Sequence, residues 1–169
     1  GVLVGSRHTA ESLWDVLSDE PALSERTRLG PPGVDVNTFR PRTEEEAAIG
    51  LSRLADKLDA GETAAWGGEA GAADALRTLD PRRDRIVSYL GKLIVSKGLD
   101  LLFAAWPLVV ARVPQARLLV VGFGTYRQAL DRFVDALARK DLDALREIAA
   151  RGRELEGGPA GELKYLNSF

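Results

Sequence analysis

The sequence predicts an α/β protein with a Rossmann-like parallel sheet and helices on both faces of that sheet. Apolar runs of strand length, IVSYL at 86–90 and ARLLVV at 116–121, alternate with longer segments of helical periodicity. Strands that are apolar nearly throughout are typical of parallel sheets covered on both faces. Apolar residues make up 45% and charged residues 28% of the 169 residues, which is the composition of a globular domain.

Residues 1–24 are predicted to form one strand and one helix. The run VLVGS at 2–6 is the strand, and Ser6 or Thr9 is expected to cap the helix that follows. Residues 25–42 are rich in proline and glycine and are interpreted as a connection between two lobes. Asp35 in that connection is expected to accept hydrogen bonds from the backbone that follows it.

Residues 43–84 are interpreted as a helical excursion and loop that carries no visible chemistry. Thr43 and Glu46 have the spacing of a capping box at the start of an amphipathic helix over 43–59. A glycine- and alanine-rich stretch around Trp66 is predicted to be a mobile loop, and a short helix is expected around residues 73–79.

Residues 85–169 are predicted to be a sheet-forming lobe with the order strand, helix, strand, helix. Pro107 lies inside the first of these helices and is expected to kink it or to begin a second segment. Residues 142–157 are expected to continue as helix.

The segment GKLIVSKG at 91–98 lies where the first strand of this lobe should end and its helix should begin. Ligands bind at the carboxyl ends of the strands of open parallel sheets, and a helix N-terminus favours phosphate. Lys92 and Lys97 place two positive charges there, which indicates a site for a diphosphate. The spacing of the lysines supports equally well the alternative that both are solvated loop residues.

Gly122 and Gly124 follow the second strand and begin a pattern that could be taken for a dinucleotide-binding fingerprint. Arg127 stands where that fingerprint has its third glycine, and no acidic partner follows, so a nicotinamide enzyme is disfavoured. Two interpretations remain: the glycines permit a tight turn, or they let a nucleoside approach the backbone.

Composition excludes several kinds of site. There is no cysteine and one histidine, His8, so thiolate and multi-histidine metal sites are excluded, and we expect neither a metal nor a cofactor. A net charge of −2 gives no reason to expect nucleic acid as a partner, and no apolar run has the length of a transmembrane segment. The Asp141–Asp143 D-x-D pattern is interpreted as a solvated helix face. A cytoplasmic location is expected.

Three stretches taken together resemble the family 4 retaining glycosyltransferases: SRHTAESL at 6–13, GPPGVDVNTFRP at 30–41, and the long segment from YLGKLIVSKG through VGFGTYRQAL at 89–130. The resemblance implies the two-lobed GT-B fold and transfer of a hexose from a nucleotide-diphosphate sugar, a UDP- or GDP-sugar, to the hydroxyl of an unidentified acceptor. It implies that Lys92 and Lys97 hold the diphosphate as catalytic residues, and that Gly91, Gly122 and Gly124 lie against the nucleotide.

The resemblance also implies a longer parent protein, in which residues 1–24 would be the last strand and helix of the N-terminal, acceptor-binding lobe. Residues 85–169 would be the first half of its C-terminal nucleotide-sugar-binding lobe, and the E-x₇-E element of the family has no counterpart among the 169 residues. We therefore expect a fragment that is inactive alone and self-associates through an exposed sheet edge. The alternatives are a non-catalytic nucleotide- or phosphate-binding module and a purely structural interaction domain.

Overall fold

The computed structural model describes residues 1–20, 22–62 and 70–168 and has the mixed α/β architecture that the sequence predicts. Its strands pair in parallel. The chain divides into two compact units, Gly1–Arg42 and Thr43–Phe169, which are described separately. Among the described residues, no helix has both the length and the apolar character needed to cross a membrane.

The described residues of the first unit form two strands and two α-helices, β1 (Val2–Val4), α1 (Arg7–Val16), α2 (Leu23–Arg26) and β2 (Thr27–Leu29). β1 and β2 pair in parallel, with Val2 opposite Thr27 and Val4 opposite Leu29. Ser6 caps α1 by accepting the N–H of Thr9, as predicted. The Trp14 indole donates to the Thr27 hydroxyl at 3.1 Å, and this contact joins α1 to β2.

The proline-rich end of the first unit is folded around Asp35. Its carboxylate accepts the N–H of Asn37 at 2.9 Å and the hydroxyl of Thr38 at 2.8 Å. The hydroxyl of Thr38 is the main cause of a lowered pKa at Asp35, and the N–H of Asn37 adds to it. The predicted turn at this aspartate is therefore confirmed.

The second unit contains a two-stranded sheet and six α-helices among its described residues. In chain order these are α3 (Glu44–Asp59), α4 (Ala72–Arg77), β3 (Arg85–Leu90), α5 (Leu99–Arg112), β4 (Ala116–Val121), α6 (Arg127–Arg139), α7 (Leu142–Arg151) and α8 (Lys164–Asn167). β3 and β4 are parallel and in full register, from Arg85 opposite Ala116 to Leu90 opposite Val121.

Alternate residues of β4 pack against different helices, so helices cover both faces of the sheet. Leu118 and Val120 pack on the larger core, whose buried members come mainly from α5, α6 and α7. Successive side chains of a strand point to opposite faces of the sheet, and Leu119 accordingly packs on a smaller core formed by α3 and α4. The alternation of this strand thus fixes the three-layer arrangement.

α3 and α4 are part of the second unit, and together they cover the face of the β3–β4 sheet that lies opposite α5, α6 and α7. Thr43 and Glu46 form both hydrogen bonds of the predicted capping box. Arg77 of α4 pairs with Asp56 at 3.0 Å and with Asp59 at 2.7 Å on α3. The residues between the two helices, including the predicted loop around Trp66, lie largely outside the described residues.

Two expectations concern helices α5 and α7. α5 is one helix that runs through Pro107, so no second segment begins there, and the alternative, a kink at Pro107, stays a prediction. α7 ends at Arg151, so the prediction of continuous helix over 142–157 is wrong. Gly152 has φ +51° and ψ −121°, and a Cβ on it would overlap the carbonyl oxygen of Gly161. The chain turns at this glycine and then forms a 3₁₀ turn, Arg153–Glu156.

Candidate functional site

The residues singled out by the sequence lie on two connections at one edge of the β3–β4 sheet. We call residues 91–98, between β3 and α5, the lysine loop, and residues 122–126, between β4 and α6, the glycine loop. Leu90 and Val121, which end the two strands, are register partners. Both loops therefore leave the sheet side by side at its carboxyl edge, where ligands of open parallel sheets bind.

The two loops continue the backbone pairing of the strands. The N–H of Gly91 donates to Val121 at 3.0 Å, and the N–H of Leu93 donates to Phe123 at 2.8 Å. In the reverse direction, the N–H of Tyr126 donates to the carbonyl of Leu93 at 3.2 Å. The loops are thus held together as one backbone unit.

The glycines of the glycine loop are required by this pairing. A Cβ on Gly122 would overlap the carbonyl oxygen of Gly91, and a Cβ on Gly124 would overlap that of Leu93. These close approaches are between two segments of the protein backbone. They give Gly122 and Gly124 a structural role that the sequence did not reveal, and the predicted contact with a nucleotide stays a prediction.

Lys92 and Lys97 are both exposed on the lysine loop. The Tyr89 hydroxyl donates to the backbone carbonyl of Lys92 at 2.8 Å. Lys97 ends a short 3₁₀ turn, Val95–Lys97, and its N–H donates to Ile94 at 3.1 Å. No carboxylate among the described residues pairs with either ammonium group, so both charges are available to an external anion.

The N-terminus of α5 already holds an acidic side chain. Gly98, with φ +66°, precedes the helix, and Asp100 lies in its first turn with 4% of its surface exposed. Oδ1 of Asp100 has no hydrogen-bond partner within the described residues. Burial raises the pKa of this carboxyl, and the N–H groups of Leu101 and of Asp100 itself partly oppose the rise. A phosphate would share this helix end with the aspartate.

Tyr126, at the end of the glycine loop, is completely buried, and its hydroxyl has no partner in the described part of the chain. Burial raises the pKa of this phenol well above its ordinary value, and the negative charges of Asp100 and Glu156 raise it further. The phenol therefore stays protonated at neutral pH.

Glu156 approaches the lysine loop from a distant part of the chain. Its Oε2 accepts the N–H of Val95 at 2.7 Å, across 61 positions of sequence. The sequence analysis missed this residue because it predicted an uninterrupted helix there. The run of glycines that follows Glu156 was the one visible indication of a turn.

The D-x-D pattern has an ordinary structural role. Asp141 is the N-cap of α7 and accepts the N–H of Ala144 at 3.0 Å, and Asp143 pairs with Arg146 at 3.1 Å. Across residues 1–20, 22–62 and 70–168, no group of three or more acidic or histidine side chains is placed to hold a metal ion.

An open groove of about 440 Å³ lies elsewhere in the second unit. It is lined mainly by apolar groups of α3 and by residues at the start of β3, among them Leu51, Leu54 and Ile86. The start of β3 is the opposite end of the strand from the lysine loop. The groove is therefore separate from the candidate anion site.

Comparison with known proteins finds a relative of this chain. It is 31% identical over 140 residues to the GDP-mannose-dependent alpha-(1-6)-phosphatidylinositol monomannoside mannosyltransferase of Mycolicibacterium smegmatis. The similarity is to a glycosyltransferase. The match covers 80% of this chain, which spans about a third (36%) of the length of that relative. A contiguous match of that extent includes both loops, since they lie near the middle of the chain.

No family model matches the chain, and no solved structure matches it.

Proposed function

We propose that the protein containing these residues transfers mannose from GDP-mannose to an acceptor hydroxyl. The observation that carries the proposal is the 31% identity, over a span that includes both loops, to an enzyme whose name specifies GDP-mannose. The resemblance to family 4 points the same way and adds a GT-B fold and retention of anomeric configuration as parts of the proposal. The acceptor is left unassigned.

The proposed chemistry places the diphosphate of the donor against the lysine loop. The bond between the sugar C1 and the diphosphate oxygen breaks, and GDP leaves with the electron pair and negative charge of that bond. A bond from C1 to the acceptor oxygen forms, and the acceptor hydroxyl gives its proton to the departing diphosphate or to water. Lys92 and Lys97 would neutralise that charge where it develops, which is the form of electrostatic stabilisation that accelerates transfer. Their exposure and their lack of a carboxylate partner in the described chain support this role.

Lys97→Ala in the complete protein is expected to lower kcat/KM for GDP-mannose by about 100-fold, because one ammonium group is lost from the leaving diphosphate. Lys92→Ala is expected to act in the same direction. Steady-state kinetics measures both. Lys57→Ala, at an exposed lysine in the last turn of α3, is the matched control and should leave the rate unchanged.

Calorimetric titration with GDP-mannose, UDP-glucose and ADP-glucose tests the donor independently of turnover. GDP-mannose is expected to bind most tightly, and Lys97→Ala to weaken it without lowering Tm. An unchanged rate in Lys97→Ala contradicts the role of the lysine. Binding of the nucleotide sugar without any transfer favours the alternative, a non-catalytic nucleotide-binding module that uses the same two lysines.

A further inference from the structure

The 3₁₀ turn that carries Lys97 is held by a carboxylate from outside the loop. Val95 begins this turn, and its N–H donates to Oε2 of Glu156 at 2.7 Å. The Glu156 side chain is 12% exposed, so this charged hydrogen bond is largely shielded from water. Charge-assisted bonds of this kind are about twice as strong as neutral ones.

Glu156 is itself presented by a well-fixed turn. The N–H of Leu155 donates to Gly152 at 3.1 Å, and that of Gly158 donates to Arg153 at 2.9 Å, on either side of the glutamate. Its second oxygen, Oε1, lies 3.5 Å from Nε of Arg153. The carboxylate therefore has a defined direction, with one oxygen for Arg153 and the other for Val95.

A negative charge at this place opposes the binding of an anion to the lysine loop. Glu156 has a close positive partner in Arg153, but its other oxygen faces the backbone of the loop. Like charges near each other cost free energy. A glutamate here is easiest to understand if holding the loop in place contributes more to donor binding than the charge takes away.

The position of Val95 explains how the contact reaches the donor. The turn Val95–Lys97 is closed by the N–H of Lys97 on Ile94 and the N–H of Gly98 on Val95, at 3.1 and 3.0 Å. Fixing the first residue of so short a turn fixes the direction in which Lys97 leaves the backbone. It also fixes the approach of the chain to α5.

We propose that Glu156 is a positioning residue that holds the lysine loop in the conformation that binds the diphosphate of the donor. The proposal rests on the proposed function and adds to it a residue 61 positions away from the loop. Glu156 acts through the N–H of Val95 and does not touch the donor. An amide oxygen at position 156 would serve the same purpose, because it also accepts a hydrogen bond, and losing the charge that opposes the anion offsets the weaker neutral bond.

The test uses the complete protein with Glu156→Ala and Glu156→Gln. Glu154→Ala is the matched control, because Glu154 lies on the same turn, is half exposed and pairs with Arg151 at 3.0 Å. The readouts are the Kd for GDP-mannose by calorimetry, kcat and KM, Tm, and amide hydrogen exchange at Val95.

Glu156→Ala is expected to speed exchange at Val95 and to raise the Kd and KM for GDP-mannose about tenfold, the effect of losing one charged hydrogen bond. The kcat at saturating donor should stay near that of the wild type. Glu156→Gln should bind GDP-mannose nearly as well as the wild type, and Glu154→Ala should match the wild type throughout.

Three results overturn the positioning role when the wild type binds GDP-mannose. One is a lower Tm in Glu156→Ala with an unchanged Kd, which would make the contact a stabilising cap only. The second is unchanged exchange at Val95. The third is a Glu156→Gln variant as weak as Glu156→Ala. A wild type that does not bind GDP-mannose overturns the proposed function itself, and exchange at Val95 then still shows whether Glu156 holds the turn.

Discussion

Asp100 shows what burial does to one acidic residue in this protein. It lies in the first turn of α5 with 4% of its surface exposed, and Oδ1 has no described hydrogen-bond partner. Burial raises the pKa of its carboxyl because the charged form loses its hydration. The native state therefore binds this proton more tightly than the unfolded chain does.

Asp100→Asn is expected to make the stability of the protein less dependent on pH. A raised native pKa means that stability is lost as pH rises from the ordinary value for aspartate, about 3.9, through the raised value. The Tm of Asp100→Asn relative to wild type should therefore increase between pH 4 and pH 7. Thermal unfolding at several pH values measures this. A constant difference between Asp100→Asn and the wild type over this pH range would contradict the prediction.

Gly122→Ala is expected to destabilise the protein by about 1–3 kcal/mol, because its Cβ would overlap the Gly91 carbonyl and overpacking has costs of that size. Gly50→Ala is the control. Gly50 lies within α3, a Cβ there meets nothing within 4 Å, and alanine is the better helix former, so this variant should gain up to about 1 kcal/mol. Urea unfolding gives both values. Equal stability of the two variants would show that the loops can separate without cost.

The end of α7 decides, at the scale of elements, which residues meet the lysine loop. Gly152 turns the chain, pairs with Gly161, and allows the 3₁₀ turn that presents Glu156. Had the helix continued, as the periodicity of residues 142–157 indicates, Glu156 would lie further along the helix axis. One backbone position therefore controls a contact at the candidate site.

Gly152→Ala is expected to destabilise the protein and to expose the amide of Val95 to exchange. Its Cβ would overlap the Gly161 carbonyl, and its φ of +51° is strained for alanine. Gly157→Ala separates the backbone strain from the steric overlap, because Gly157 also has a positive φ, +82°, but a Cβ there would meet nothing within 4 Å. That control should lose about 1 kcal/mol from strain and keep Val95 protected. Exchange measured by NMR distinguishes the variants, and protection of Val95 in Gly152→Ala would refute the link.

Across the whole molecule, local patterns predicted the elements and long-range contacts escaped prediction. Strands β1, β3 and β4, the capping box at Thr43 and the order of elements in residues 85–139 were predictable because each depends on neighbours a few positions apart. The bond from Val95 to Glu156 joins residues 61 positions apart, and a single sequence carries no trace of such a pairing. Gly122 and Gly124 were correctly placed after a strand, but the segment they face was not predictable from their spacing.

The second unit also presents strands whose outer edges have no further strand beside them in the described residues. In the part of the chain that the structure describes, β3 and β4 pair only with each other, and Val87 and Leu90 of β3 are 45% and 74% exposed. Exposed strand edges favour pairing with another chain.

The 169-residue chain is therefore expected to self-associate, and Val87→Lys to reduce that association, because a charge on an edge strand opposes pairing. Sedimentation velocity over a range of concentrations measures it. Ser88→Lys, at the next residue of the same strand, tests whether the charge reduces association only when it replaces the exposed apolar side chain of Val87. A compact monomer at all concentrations would contradict the expectation.

The backbone ladder between residues 91–93 and 121–126 has a practical consequence for engineering. Since each loop supplies the hydrogen-bond partners and the space that the other needs, neither can be exchanged by itself for the equivalent loop of a related protein. A transplant would have to move the two segments jointly, glycines included.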